Sequence, residues 1–168
     1  MSVAHMYEGW PRVQTRLMHV LPKLSPPALQ LTSGEGGWPV WAILSHVAGA
    51  RVYWLCNVFK EPGAESTPFG DLTSDGWEDH LDQPRGREEL MDALSSSWRI
   101  VESCLERWTP EMLDDVFTRQ MGQVTQHHSR HSVLTRMVMH DSFHCGEISL
   151  LFGMNHAEVS MDPWEPIT

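Results

Sequence analysis

Three histidines stand where helical spacing calls for apolar side chains. The series Val133, Met137, His140, His144, Glu147 and Leu151 advances by alternating steps of four and three residues, the spacing of a stripe on the packed face of a helix. Imidazole and carboxylate groups withdrawn from water without partners each cost several kcal/mol, and one metal ion would satisfy three of them together. His140 and His144 lie one turn apart, so their ring nitrogens can converge on one ion. The third ligand is expected from a facing helix. His46 is the candidate, because it interrupts an apolar segment and is flanked at helical spacing by Ala42, Gly49, Ala50 and Tyr53, which leave room for an ion and a bound molecule. Three neutral imidazoles with an open fourth position describe a catalytic rather than a purely structural site. Imidazole suits several transition metals; zinc or nickel is expected.

The neighbouring residues are read more modestly. Glu147 has four readings: an acceptor that orients an imidazole, a fourth ligand, a general base, or a carboxylate leaning to solvent. Cys145 is rotated about 100° from His144 and is expected to pack against a neighbour. Asp141 is expected to meet a neighbouring helix or solvent. The His140-Asp-x-x-His144 string has the outline of a zinc-protease helix, but Leu150 occupies the place of that class's third histidine. His127, His128 and His131 are expected to form an exposed loop cluster, and Trp38, Trp41 and Trp54 to pack in the core rather than wall a pocket.

Four segments have the periodicity needed to position these groups. Met6, Trp10, Val13, Leu17, Val20 and Leu24 form one stripe, closed by Pro22, Pro26 and Pro27. The second segment, 38–59, is apolar nearly all round and should be central. Residues 60–86 hold three prolines and four glycines and form a long connection. The third helix is predicted over 87–108 and the fourth over 132–152, closing at Gly153. Between them, 117–124 reads as a short extended turn around Gly122. The fold class that follows is all-α: a single-domain four-helix bundle over 1–168 with a long crossover between helices two and three.

Composition removes other classes of function. The chain carries 12 basic and 22 acidic side chains, a formal charge of −10 that disfavours nucleic-acid and anionic-membrane partners. His46 and Arg51 within the most apolar segment argue against a membrane span. Three cysteines without Cys-x-x-Cys spacing, and a start with neither a basic stretch nor an apolar run, fit a reducing, cytoplasmic setting. Ten histidines protonated together would cancel the formal −10, so low solubility is expected near a pH of about 5.

The run Trp38-Pro-Val-Trp-Ala-Ile-Leu-Ser-His46-Val-Ala-Gly-Ala, followed by His140-Asp-Ser-Phe-His144-Cys-Gly-Glu-Ile-Ser-Leu-Leu, resembles the DinB/YfiT-like superfamily of metal-binding four-helix bundles. The resemblance spans nearly the whole chain. It implies a metal triad of one histidine on helix two and a His-x-x-x-His pair on helix four, falling on His46, His140 and His144. Cys145 and Glu147 depart from relatives that have a basic residue and a glutamine at these places. The resemblance further implies a small-molecule substrate, with thiol-dependent S-transferases or isomerases using a low-molecular-weight thiol, or metal-dependent hydrolases, as the expected activities. The alternative is a non-catalytic metal-binding or stress-response protein. A homodimer is the expected assembly.

Overall fold

The computed structural model describes residues 1–167 except 158 and 163. Most of them are helical. Helix α1 (Trp10–Val20) begins with Pro11 in its first turn, where the missing N–H is not needed, and buries Trp10, Val13, Leu17 and Val20 along the expected stripe. It ends earlier than its periodicity suggests, because Pro22 tightens the chain into a 3-10 turn. Helix α2 (Pro26–Leu29) is a single turn capped by Ser25, whose Oγ accepts the Ala28 N–H at 3.3 Å.

Helix α3 (Val40–Val52) is central, as its all-round hydrophobicity requires, and packs against both later helices. It runs directly into a wider π-turn over Tyr53–Val58. A long connection then leads to α4 (Arg87–Arg107), where the Glu89 carboxylate accepts the Gly86 N–H at 2.9 Å. Glu61 pins the start of that connection: it accepts from Arg107 at 2.8 Å, from the Trp108 indole at 3.1 Å and from Arg130 at 3.4 Å.

The expectation of an all-α chain needs correction between α4 and the last helix. Val116–Met121 (β1) and Val124–Ser129 (β2) pair as an antiparallel hairpin, with Gly122 at φ 60 in its two-residue turn. Apolar alternation is too weak to announce it. Val116, Met121 and Val124 are exposed, while the inward face carries Phe117 and Arg119 with Gln126 and His128 across the ribbon. Phe117 holds the hairpin to the core through Phe59, with ring centroids 4.7 Å apart.

Helix α5 (Arg130–Met154) passes through Gly153, the expected stop, and ends one residue later at Met154, with Asn155 as its C-cap. A buried polar cluster ties α1, α3 and α5 together: Asp141 Oδ2 accepts from Arg51 Nη2 at 2.7 Å, Arg51 Nε at 3.0 Å and the Trp10 indole at 2.7 Å, and Arg51 also donates to Gln14 at 2.8 Å. Burial pushes the Asp141 carboxyl up, but the Arg51 charge and hydrogen bonds from His140, Trp10 and Arg51 prevail and hold it below the usual carboxylate range. The three cysteines are free and buried, and burial raises the Cys145 thiol to about 12. Cys145 therefore packs, as its rotation away from His144 suggests. Among the described residues, no helix is long and apolar enough to cross a membrane.

Candidate metal centre

Helix α3 presents His46, and successive turns of α5 present His140 and His144, each near the middle of its helix. One nitrogen from each ring lies within 4.8 Å of the others. His46 Nε2 and His140 Nε2 are 2.9 Å apart. Only His144 occupies the buried position that spacing assigns to all three; the side chains of His46 and His140 are 28% and 29% exposed, opening the centre on one side.

Each ring has a carboxylate at its other nitrogen. His46 Nδ1 is 2.6 Å from Glu78 Oε1, His144 Nδ1 is 2.8 Å from Glu147 Oε2, and His140 Nδ1 makes a longer contact of 3.5 Å with Asp141 Oδ1. These acceptors assign the ring protons to Nδ1 and leave the Nε2 lone pairs facing inward. Two lone pairs 2.9 Å apart repel unless a proton or a cation lies between them. His144 resists protonation: burial lowers its pKa, Glu147 opposes that shift, and His140 and His46 reinforce it. Three convergent imidazoles, each ring backed by a carboxylate, fit the ligand set of a divalent metal. Among the described residues, these three histidines form the group of side chains close enough to hold an ion together.

A cavity of about 880 Å³ opens in front of His46 and His140. The π-turn supplies Tyr53 and Trp54, the long connection supplies Phe69, Trp77 and Glu78, and the hairpin supplies Arg119. Gly49 and Ala50 form the helical floor; a Cβ at Gly49 would lie 3.6 Å from the Phe69 ring, in ordinary contact. The tryptophans divide between two roles: Trp41 is core, whereas Trp54 lines the cavity and Trp38 stands beside His46 at 4.9 Å between centroids. The His127, His128 and His131 set is dispersed, with His128 against Trp54 and His131 bonded to Tyr7. Its first two members lie on β2, not in a loop.

Glu78 and Arg119 carry no signal in the sequence. Glu78 is one of many acids in an irregular connection, 32 residues after the histidine it contacts, and Arg119 sits in a segment whose strand character was obscured.

Convergent imidazoles on two packed helices, backed by carboxylates and facing a cavity, define a helical protein with a metal-type histidine centre. The chain belongs to the DinB superfamily, whose sequence model matches residues 10–148. A DinB-like protein from Bacillus cereus ATCC 10987 has a similar fold in its crystal structure, with a TM-score of 0.68 over 94% of this chain and 95% of that one at 14% identity. No curated protein matches the chain in sequence.

Proposed function

We propose that this DinB-superfamily four-helix bundle, with its crossover between the second and third long helices, is a cytoplasmic metal-dependent enzyme acting on a small molecule. His46, His140 and His144 hold a divalent transition metal, zinc or nickel. The observation that carries this reading is the pair of Nε2 atoms of His46 and His140 2.9 Å apart, beside a third imidazole and open to the cavity. An ion held there supplies Lewis acidity, lowering the pKa of a bound water or low-molecular-weight thiol so that a nucleophile exists near neutral pH. The reaction class is S-transfer or isomerisation with such a thiol, or hydrolysis.

The chain's own groups have separable tasks. Glu78 and Glu147 hold the Nδ1 protons of His46 and His144 and so orient both rings. Glu147 is partly open to water, so it can also take up a proton released in the reaction, which is the general-base role. The aromatic cavity wall limits the water that reaches the reacting group. A cavity of this volume favours an enzyme over a non-catalytic metal-binding or stress-response protein, which needs no space before its ion.

Elemental analysis of the protein purified without an affinity tag tests the metal. About one equivalent of a transition metal, lost in His144→Ala, is expected. Trace metal unchanged by His144→Ala would falsify the reading. We also propose a homodimer through the outer face of α5, where Met139, Phe143, Leu150 and Met154 form an exposed apolar stripe. Light scattering should give a dimer mass that Phe143→Glu reduces to that of a monomer.

A further inference from the structure

The arginines of this acidic chain are unevenly partnered. Ion pairs within the described residues engage Arg16, Arg51, Arg85, Arg107 and Arg130, and among the five arginines outside them are Arg119 and Arg136. Those two meet on a single indole: their guanidinium carbons lie 5.0 Å and 5.1 Å from the Trp54 ring centroid, and Arg119 is also 5.0 Å from the Tyr53 ring. Contact with the indole ring holds both guanidinium groups in place without neutralising them. The Nε of Arg119 is buried with no hydrogen-bond partner.

Both arginines line space that His140 also lines. Arg119 lines the large cavity together with His46 and His140, and Arg136 lines a smaller one of about 210 Å³ that shares Ala50, Trp54 and His140 with it. Their field adds to burial in lowering the pKa of His128, which bonds Arg136 at 2.9 Å. The connection contributes Asp71 and Asp75 to the same cavity, so an anion is repelled there and drawn to the hairpin. A guanidinium fork matches the planar geometry of a carboxylate, and Phe69 and Trp77, 5.0 Å apart, offer apolar surface in the same cavity.

We propose that Arg119 and Arg136, stacked on Trp54, form the anion-recognising end of the cavity and select small molecules that carry a carboxylate on an apolar body. Which end of the ligand reacts rests on the metal-centre reading, but the binding itself does not.

The test uses the full chain as purified and, in parallel, with zinc added. The indole N–H signal of Trp54, assigned with Trp54→Phe, is followed by NMR during titration with phenylacetate or the isosteric neutral phenylacetamide. The acid is expected to bind at least about tenfold tighter, by the strength of charge-assisted pairing, and to lose this advantage in high salt. R119Q and R136Q should each weaken the acid and leave the amide unchanged, with the preference abolished in the double variant. Undisturbed signals from the other indoles show that the variants fold; should one not fold, the acid–amide and salt comparisons in the native protein decide. Equal binding of acid and amide, no shift of Trp54 by millimolar acid, or a preference that survives in the double variant, as ligation by metal alone would give, overturns the proposal. Failure of the metal reading appears in the elemental analysis and leaves this titration intact.

Discussion

His140 reaches the cavity from a 25-residue helix that also presents His144 and whose Asp141 is locked to Arg51 and Trp10 inside the core, whereas Glu78 and Arg119 reach it from an irregular connection and a two-stranded hairpin. The histidine side is held by long-range buried contacts. The wall built by the connection and the hairpin is held by local turns and a few aromatic contacts, with Glu78 bonded to His46. Ligand nitrogens must be placed within fractions of an ångström, and the helices supply that rigidity. A wall that selects among substrates gains from loops that can change without disturbing the core.

The largest expected effect strikes at the anchored side. Asp141→Ala leaves Arg51 charged and unpaired in the interior, and breaking such a pair from one side costs about 3–5 kcal/mol. Urea denaturation should show the midpoint falling accordingly. A loss below about 1 kcal/mol, the range of a surface pair, would mean that the histidine side is no better anchored than the wall facing it.

Next come the two glutamates that orient imidazoles from opposite sides of that divide. Glu78→Gln should weaken metal binding about 10–100-fold, as loss of a carboxylate behind a ligating histidine does, with little change in stability. Glu147→Gln should retain metal with a smaller loss, because its more exposed carboxylate already competes with water, yet lower turnover sharply if it takes the released proton. Competition with a chelator of known affinity measures the first quantity. A larger effect on affinity at Glu147 than at Glu78 would reverse the ranking of the two sides.

The same divide explains what could be read from the sequence. His46, His140 and His144 were legible because helical periodicity fixes which residues share a face, and polar groups on an apolar face demand partners. Helix α4 emerged at nearly its full length, since Leu90, Leu94, Val101 and Leu105 recur at helical spacing and all are buried. The hairpin was hidden because a two-stranded ribbon buries only one face, and here that face mixes Phe117 with Arg119, Gln126 and His128. Glu78 was hidden because the course of a long connection is set by tertiary packing of Phe69 and Trp77, not by a repeat. Arg51 and Asp141 were visible as charges near apolar stripes, but their pairing across 90 residues was not.

A smaller effect is expected within the hairpin. Gly122 sits at φ 60, a backbone conformation that costs a side-chain-bearing residue about 1 kcal/mol, so Gly122→Ala should loosen the ribbon alone. Hydrogen exchange of the β1 and β2 amides should quicken several-fold while α5 amides and metal content stay unchanged. Faster exchange in α5 as well would join the two walls into one cooperative unit.

The smallest effect concerns how the connection orders itself. Asp71 Oδ1 accepts the Thr73 hydroxyl at 2.7 Å and the Thr73 N–H at 3.0 Å, and Oδ2 accepts the Ser74 hydroxyl at 2.7 Å. These bonds favour the ionised carboxylate, the Thr73 hydroxyl most, and lower its pKa from 3.8 to about 2. Because the folded value is depressed, the turn is fully stabilised above 3.8 and loses that contribution as the pH falls through about 2. Carboxyl NMR should find the Asp71 midpoint near 2, and Thr73→Val should move it toward 3.8. A native midpoint already at the ordinary value would show that the turn does not hold itself in solution, and the cavity wall would then owe its shape to Phe69 and Trp77 alone.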